Sequence, residues 1–507
     1  MVEIIQGNGK REISCDKKQS ILEFLRESGY EVSAVCSGNQ TCGKCKVQIL
    51  EECPIANEQE GRFFSSEEIE AGLRLSCAHP IRSGMKIRLA DKVTYQSLST
   101  FDLADSIKMK SEKGKGYGVA IDLGTTTVVI GLVSREKKAI VQVASFLNPQ
   151  SSYGADVISR IEASKRDGGE VLQALILEEI KKKIKALCEL EKIAGLDITD
   201  FVISGNTTML YLLQGYDPQE LALAPFVVSH SEYVEFEAKM FFAENWPGTV
   251  HLFPCISAYV GGDIVSGLYA YGKELEECQP VCLLDLGTNG EILLMDQNKV
   301  VCAATAAGPA FEGAGIQSGI GGISGAIDKV QFDGDRIAYS TIDEADPIGI
   351  CGSGIIDVVS EGIRTGRIDK TGRMASGDLI LCQEGNQIVF TQKDIREVQL
   401  AKAAIAAGIK VLASHMEISI GQIKSLHLAG GFGQYLNLQH AGTIGLIPNE
   451  LVGRSKAIGN ASFAGAYKAL FDLNLKENLE EIQKKCAYIE LSSEKTFNGI
   501  YIQEMGF

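Results

Sequence analysis

Short apolar runs that predict strands alternate with longer amphipathic runs that predict helices over most of the chain. Residues 119–124 (VAIDLG) and 126–133 (TTVVIGLV) predict two strands joined by a glycine turn, and residues 281–296 (VCLLDLGTNGEILLMD) repeat this arrangement. Apolar positions three and four residues apart predict helices over 171–190 and 398–416. Strands that alternate with helices are typical of α/β layers, and the strand–turn–strand units predict mixed rather than purely parallel sheets.

A change of pattern near residue 117 divides the chain. Residues 106–118 (SIKMKSEKGKGYG) are polar, rich in lysine and glycine, and carry no apolar period, which is typical of a linker. Before it, a helix is predicted over 20–29 and a strand within 73–80. The predicted units are a first domain over 1–92, a linker over 93–116, a first subdomain over 117–205 and a second, larger subdomain over 206–507.

Composition and charge narrow the class of protein. The 507 residues are 45% apolar and 22% charged, which is ordinary for globular domains that bury their own cores. The net charge of −16 argues against nucleic acid and anionic membrane surfaces as main partners. We find no signal peptide and no run of ~18 apolar residues, so we expect a cytoplasmic protein without a membrane span. The 14 cysteines are then better considered as metal ligands than as a disulfide framework.

Four cysteines in the first ninety residues have the spacing of an iron–sulfur site. Cys36, Cys42 and Cys45 lie on a glycine-rich loop with the spacing C-x5-C-x2-C, and Cys77 follows 31 residues later. So many thiolates on one turning loop cannot all pack as core cysteines, but they can surround a 2Fe–2S cluster. Tetrahedral zinc is the alternative, although zinc ribbons usually carry two C-x2-C pairs. The segment resembles plant-type 2Fe–2S ferredoxins, with one residue more in the first gap, which implies a β-grasp domain.

Two nearly duplicate motifs, IDLGTTT (121–127) and LDLGTNG (284–290), predict a nucleotide site. In each, a strand ends in an aspartate that suits Mg²⁺, and the next glycine lets the backbone approach a phosphate. A clamp needs one such loop from each of two lobes, and a third glycine turn, LAGGFG (428–433), can lie flat against an adenosine. The candidate residues are Asp122, Gly124, Thr125, Thr126, Thr127, Asp285, Gly287, Thr288, Asn289, Gly290, Gly430, Gly431 and Gly433.

With two further segments, these motifs resemble the superfamily of actin, sugar and acetate kinases and heat-shock chaperones. Residues 256–272 look like its first hinge segment and residues 457–470 like its second, and all five motifs occur in the superfamily's order. The resemblance implies an α/β ATPase of two lobes with duplicated mixed-sheet subdomains, which binds ATP and Mg²⁺. It also makes Asp263 a candidate for orienting a water in hydrolysis; capping a helix or serving the hinge is the alternative.

A ferredoxin domain joined to an ATP clamp resembles the reductive activators of corrinoid proteins over the whole chain. That resemblance implies one-electron transfer from the 2Fe–2S cluster to the cob(II)amide of a partner corrinoid protein, at the expense of ATP. The product, cob(I)amide, serves methyltransferase systems such as O-demethylases in anaerobes. An upstream electron donor and a homodimer are implied as well. Some relatives carry 4Fe–4S clusters at the C-terminus, whereas only Cys486 lies near the end of this chain.

Other functions share one half of this pattern. Activators of 2-hydroxyacyl-CoA dehydratases and benzoyl-CoA reductases use the same clamp, but they bridge a 4Fe–4S cluster across a dimer and lack a ferredoxin domain. A small-molecule kinase with a ferredoxin module would need a sugar or acid pocket, which the sequence does not reveal. A clamp that only binds a partner would show no ATP turnover when a corrinoid protein is added.

Overall fold

The computed structural model describes most of the chain. The residues outside the description are 7–8, 16–17, 29, 31, 33–39, 41–44, 90–115, 155, 288, 298, 314, 335, 384–386 and 431–435. Nearly all of the predicted linker lies there, and so do five predicted site residues: Cys36, Cys42, Thr288, Gly431 and Gly433.

The N-terminal domain is a five-stranded sheet with a helix packed on it. Its elements are β1 (Val2–Gln6), β2 (Gly9–Ile13), α1 (Ile21–Glu27), β3 (Lys46–Glu51), α2 (Ser66–Glu70), β4 (Leu73–Leu75) and β5 (Lys86–Arg88). The strand order is β2-β1-β5-β3-β4, with β1 and β5 parallel. Helix α1 begins where it does because Ser20 and Glu23 form a capping box. Its apolar face, with Phe24 and Leu25, is buried against the sheet.

The second unit is a six-stranded mixed sheet covered by helices. Its strands are β6 (Tyr117–Leu123), β7 (Thr127–Ser134), β8 (Ala139–Leu147), β9 (Ile198–Gly205), β10 (Val234–Glu237) and β11 (Thr249–Leu252). Its helices are α3 (Val157–Asp167), α4 (Gly169–Glu191), α5 (Thr207–Gln214), α6 (Gln219–Ala222) and α7 (Ala238–Phe242). The order β10-β11-β9-β6-β7-β8 shows that the boundary predicted at residue 205 divides this sheet, because β10 and β11 return to it.

The third unit repeats the six-stranded arrangement. Helix α8 (Gly262–Glu277) leads into it, and its strands in chain order are β12 (Val281–Leu286), β13 (Gly290–Asp296), β14 (Lys299–Thr305), β15 (Ala326–Asp333), β16 (Arg336–Thr341), β17 (Gly349–Ile350), β18 (Leu379–Cys382), β19 (Ile388–Phe390), β20 (Ser425–Ala429), β21 (Ser455–Gly459) and β22 (Cys486–Tyr488). The main sheet has the order β21-β20-β12-β13-β14-β22, while β15 to β17 and the hairpin β18–β19 form two small sheets.

The remaining helices cover the third unit and connect it to the second. They are α9 (Gly352–Arg364), α10 (Gln392–His415), α11 (Leu438–Thr443), α12 (Asn449–Val452), α13 (Ala461–Ala469), α14 (Leu475–Lys485) and α15 (Phe497–Gln503). Helix α10 begins six residues before the predicted start, because Thr391 and Asp394 form a capping box there. Within the described part of the chain, no helix combines the length and apolar character that a membrane span requires.

The two predicted hinge segments form helices α8 and α13, which cross closely between the two large sheets. A Cβ atom at Gly267 would lie 3.3 Å from the Cβ of Ala461, and one at Gly465 would overlap the backbone of Ser266. Small residues are therefore needed at the crossing, where Ser266 also donates its hydroxyl to the carbonyl of Ser462 at 2.6 Å. This crossing sets how the two lobes face each other across the cleft.

Candidate functional site

A cleft of about 660 Å³ lies between the two large sheets, and the duplicated motifs meet in it. Because β6 and β12 are central strands of their sheets, the loops that follow them open into the same space. The predicted residues that line the cleft are Asp122, Gly124, Thr125, Thr126, Thr127, Asp263, Asp285, Gly287, Asn289 and Gly430. Gly290 is instead buried in β13, where a Cβ atom would lie 2.7 Å from the hydroxyl of Thr305.

The loop after β6, which comprises residues 124–127, is held by hydrogen bonds from residues outside its motif. Gly124 donates its N–H to the carbonyl of Thr127 at 3.1 Å, and a Cβ atom at Gly124 would overlap that carbonyl. The backbone N–H of Asn148 donates to the carbonyl of Thr126 at 2.8 Å, and its side chain donates to that of Gly124 at 2.9 Å. The buried guanidinium of Arg160 donates to the carbonyl of Thr125. These bonds engage the carbonyls of all four loop residues within the protein. Those negative acceptor groups then oppose an anion in the cleft less, which favours phosphate binding there.

Asp122 is fixed by two donors that come from the far end of the sequence. Asn460 donates its side-chain amide to one carboxylate oxygen at 2.6 Å, and Ser462 donates its hydroxyl to the other at 2.7 Å. Burial raises the pKa of Asp122, while these two hydrogen bonds oppose the rise. The second hinge helix therefore holds the first carboxylate in place.

Asp285 stands at the end of β12 in a different setting. Among the described residues, none donates a hydrogen bond to its carboxylate. Burial, with smaller contributions from Asp263 and Asp122, raises its pKa to about 8. Gly430 adopts a φ of +89° directly beside it, and a Cβ atom there would lie 2.7 Å from an Asp285 oxygen. The adenosine-motif glycine and the second loop are thus packed together.

Asp263 lies in the first turn of α8 and faces the other two aspartates. Its carboxylate accepts the backbone N–H of Ile264 at 2.8 Å, so it also serves the start of the helix. Burial raises its pKa to about 6, and the charge of Asp122 adds to the rise. The charge of Asp122 thus contributes to the raised pKa values of Asp263 and Asp285, and carboxylate oxygens are the ligands that Mg²⁺ prefers. Within the described part of the chain, the three carboxylates do not already form a closed metal-ligand group.

Sequence reasoning did not identify several polar groups of the cleft. Glu291 follows the second loop, and burial together with the nearby Asp263 and Asp285 raises its pKa well above the usual value. Glu312 accepts the hydroxyl of Thr126 at 3.1 Å and so connects the two lobes. Glu312 lies in a glycine-rich segment, and nothing in that pattern indicates a carboxylate in the cleft.

The two described cysteines of the predicted cluster set lie next to each other in the N-terminal domain. The sulfur atoms of Cys45 and Cys77 are 3.2 Å apart and are not joined in a disulfide. That distance is well beyond the ~2 Å of a disulfide and is close to what two thiolates on one metal ion require. Ser76 donates its N–H to the carbonyl of Cys45 at 2.9 Å, which joins the two segments. The pair therefore fits a shared iron, with Cys36 and Cys42 outside the described residues.

Buried Glu60 supports this arrangement and was not predicted. One carboxylate oxygen accepts the N–H of Leu75 at 2.6 Å, and the other lies 2.9 Å from Nε2 of His79. These contacts fix both sides of the turn that carries Cys77. These contacts thus fix the backbone around Cys77, a predicted cluster ligand.

Comparisons with known proteins agree with both halves of the chain. A profile described as a 2Fe-2S iron-sulfur cluster binding domain matches residues 4–82. Residues 117–275 match the RACo middle region, and residues 279–507 match the C-terminal domain of RACo, the ASKHA domain. These matches confirm the predicted fold class, a 2Fe–2S ferredoxin domain followed by an actin-like α/β clamp.

Relatives of known name match over most or all of the chain. The corrinoid activation enzyme RamQ of Eubacterium limosum is 32% identical, with 98% of each chain covered. A reductase of Methanosarcina barkeri for the Co(II) methylated amine-specific corrinoid protein is 27% identical over 77% of each chain. A solved structure of a reductive activator for a corrinoid, iron-sulfur protein covers 100% of this chain and 98% of its own, with 27% identity and a TM-score of 0.70. The chain therefore belongs to the RACo family of reductive activators of corrinoid proteins.

Proposed function

We propose that this protein is an ATP-dependent reductive activator, which transfers one electron to the cob(II)amide of a partner corrinoid protein and restores cob(I)amide. The observation that carries the proposal is the full-length similarity to named corrinoid activators, with a cysteine pair and a carboxylate cleft both intact. We also propose a homodimer, a separate upstream electron donor, and a division of the chain into ferredoxin domain, linker and two ATPase subdomains.

The cleft residues have complementary roles in binding MgATP. Asp285 is the proposed Mg²⁺ contact, because its carboxylate lines the cleft and receives no hydrogen bond from the described residues. Asp122 would act through a bound water. The loops Gly124 to Thr127 and Gly287 to Gly290, which include Thr288 and Asn289, would donate to phosphate oxygens. Gly430, Gly431 and Gly433 would contact the adenosine, and Asp263 would orient the attacking water.

The cysteines have a separate role in the N-terminal domain. Cys36, Cys42, Cys45 and Cys77 would hold a 2Fe–2S cluster, which supplies one-electron chemistry when bound. Reduction of cob(II)amide is energetically uphill for an ordinary donor, and each 100 mV of one-electron transfer costs about 2.3 kcal/mol. ATP can offset such a cost only if it binds one conformation of the two lobes better than another. The closely packed crossing of α8 and α13 is where the lobes would turn.

The direct test follows the corrinoid spectrum under anaerobic conditions. The reduced protein is mixed with a purified methyltransferase corrinoid protein in the cob(II)amide state, with and without MgATP. We expect the cob(I)amide band to grow only with MgATP. A panel of several corrinoid proteins guards against the choice of a wrong partner.

Two matched cysteine variants sharpen this test. Cys77→Ser should abolish both the iron content and the cob(I)amide band, whereas Cys53→Ser, an exposed thiol near the same domain surface, should leave both unchanged. If ATP is turned over by a cluster-loaded protein but no corrinoid protein in the panel is reduced, the proposal fails. An activator of another low-potential enzyme, or a kinase with a ferredoxin module, would then be the better interpretation.

A further inference from the structure

A hydrogen bond across the cleft engages one of the residues that the proposed function places against a phosphate. The hydroxyl of Thr126, in the loop after β6, donates to a carboxylate oxygen of Glu312 at 3.1 Å. The two residues lie 186 positions apart in the chain, belong to different lobes, and both line the cleft. An acidic side chain of one lobe therefore lies at the proposed phosphate loop of the other.

The loop side of this contact suits an anion of either kind. The carbonyl of Thr125 accepts a hydrogen bond from Arg160, and that of Thr126 accepts one from the N–H of Asn148. Because the guanidinium of Arg160 is fully buried, a positive charge lies against the loop and favours a negative group on its cleft side. Carboxylate and phosphate oxygens are both strong acceptors, so Glu312 satisfies the same donor as a phosphate would.

Glu312 is carried by a short turn that is anchored in its own lobe. The turn spans Pro309–Glu312, and the side chains of Ala310 and Phe311 are buried in the core of the third unit. Gly313 follows with a φ of +81°, which glycine tolerates, and donates its N–H to the carbonyl of Ala310 at 3.0 Å. The packing of one lobe thus places the carboxylate, and the contact depends on how the two lobes face each other.

The hydroxyl of Thr126 cannot fully serve two acceptors at once. A threonine hydroxyl carries one hydrogen, so donation to Glu312 excludes an equal bond from that hydrogen to a phosphate oxygen. A carboxylate and a phosphate that both lay at hydrogen-bond distance from one oxygen would also be close to each other. Two such negative groups repel strongly in a cleft that is partly screened from water.

We propose that Glu312 is an internal competitor of the nucleotide, because its carboxylate and a phosphate group compete for the hydroxyl of Thr126. A bound phosphate and this contact between the lobes then exclude each other. The inference rests on the proposed function, which places Thr126 against a phosphate. It adds a residue that lowers nucleotide affinity and that makes the binding of a phosphate break one contact between the lobes.

The test is isothermal titration calorimetry of the full-length, cluster-loaded protein with a non-hydrolysable ATP analogue, in Mg²⁺ and in EDTA. Glu312→Gln keeps the shape of the side chain but removes its charge, and it should tighten binding about tenfold in both conditions. Glu312→Ala removes the acceptor and should tighten binding at least as much. Asp343→Asn is the matched control, since it removes a negative charge from an exposed residue of the same cleft, and it should change the affinity less than about twofold.

A double-mutant cycle separates competition for the hydroxyl from a general effect of charge. Thr126→Val removes the shared donor and retains most of the shape of the side chain. It should weaken binding of the analogue by itself. In that background Glu312→Gln should tighten binding much less than it does in the wild type, because the hydroxyl for which the two groups compete is gone.

Three results would overturn the inference. The first is an affinity of Glu312→Gln and Glu312→Ala equal to that of the wild type, at an unchanged Tm. The second is weaker binding in these variants: if it is confined to Mg²⁺, Glu312 is a ligand of the cation, and if it persists in EDTA, Glu312 supports the site. The third is an equal gain with and without the Thr126 hydroxyl. If the wild type binds neither the analogue nor ADP, the proposed function itself fails, and this inference fails with it.

Discussion

The two D-L-G-T loops, which follow β6 and β12, have nearly the same sequence, yet their aspartates Asp122 and Asp285 lie in different environments. Asp122 accepts hydrogen bonds from Asn460 and Ser462 at 2.6 and 2.7 Å. Asp285 receives none from the described residues, and its pKa is raised to about 8 by burial and by the charges of Asp263 and Asp122. The protein holds the carboxylate of Asp122 in place, whereas the described residues donate no hydrogen bond to that of Asp285.

From this difference we infer separate roles for the two aspartates. A carboxylate that is already hydrogen-bonded can orient a water or a cation at little further cost. A carboxylate without donors is costly to remove from water until a cation or a proton neutralises it, so the proposed binding of Mg²⁺ would be favoured at Asp285. The two loops are similar in sequence, and they differ because α13 and its N-cap Asn460 supply donors to Asp122.

The largest effect that we expect from the difference between Asp285 and Asp122 concerns the proposed binding of Mg²⁺. Asp285→Asn should lower ATP-dependent cob(II)amide reduction at least about 100-fold, because a direct cation contact is worth several kcal/mol. Asp122→Asn should lower it only about 10-fold, because Asn460 and Ser462 still order the site. The rates are measured at saturating and limiting Mg²⁺, with the exposed Asp346→Asn as a control. Equal losses in the two cleft variants would mean that the loops are equivalent.

A smaller effect concerns the packing of Gly430 on the second loop. Gly430→Ala would bring a Cβ within 2.6 Å of the Leu286 carbonyl, at a φ of +89° that alanine rarely adopts. We expect a loss of about 2 kcal/mol in stability and a fall of several degrees in Tm. Gly421→Ala is the matched control, because a Cβ there meets nothing within 4 Å. A Tm equal to that of the control would show that the second loop can rearrange around the added methyl group with no loss of stability.

The smallest expected effect is a change of stability with pH that is caused by the titration of Asp285. Its pKa in the folded state is about 8, above the ~3.9 of an unfolded aspartate, so its contribution is present at low pH and is lost as pH rises toward 8. In the absence of nucleotide, the Tm of Asp285→Asn relative to the wild type should therefore rise by a few degrees between pH 5 and 8. Differential scanning calorimetry at constant ionic strength measures it.

Saturating Mg²⁺ should reduce this difference, since a cation that binds only the folded, ionised carboxylate stabilises the wild type. A difference in Tm that is flat with pH would contradict the assignment of a raised pKa to Asp285. The Asp346→Asn variant should show such a flat difference, because its side chain is exposed to solvent.

Much of the fold could be predicted because its signals are local. The spacing of apolar positions predicted the strands on either side of each D-L-G-T loop, and it also predicted the long helices α4 and α10. The return of β10 and β11 to the sheet of the second unit was harder to predict, because both strands are short. They join that sheet only through the long-range pairing of β11 with β9. Glycine-rich motifs likewise indicated the cleft but gave no sign of the lone acids Glu291 and Glu312.

Residue types and their spacing were enough to predict the kinds of chemistry in this protein, through four spaced cysteines, two aspartate–glycine loops and a third glycine turn. The folded chain was needed to show that Asn460 and Ser462, more than 330 residues away, donate to Asp122 rather than to Asp285. This division arises because residue type and spacing specify what a group can bind. Burial and neighbours from distant segments set its charge, its partners and thus its role.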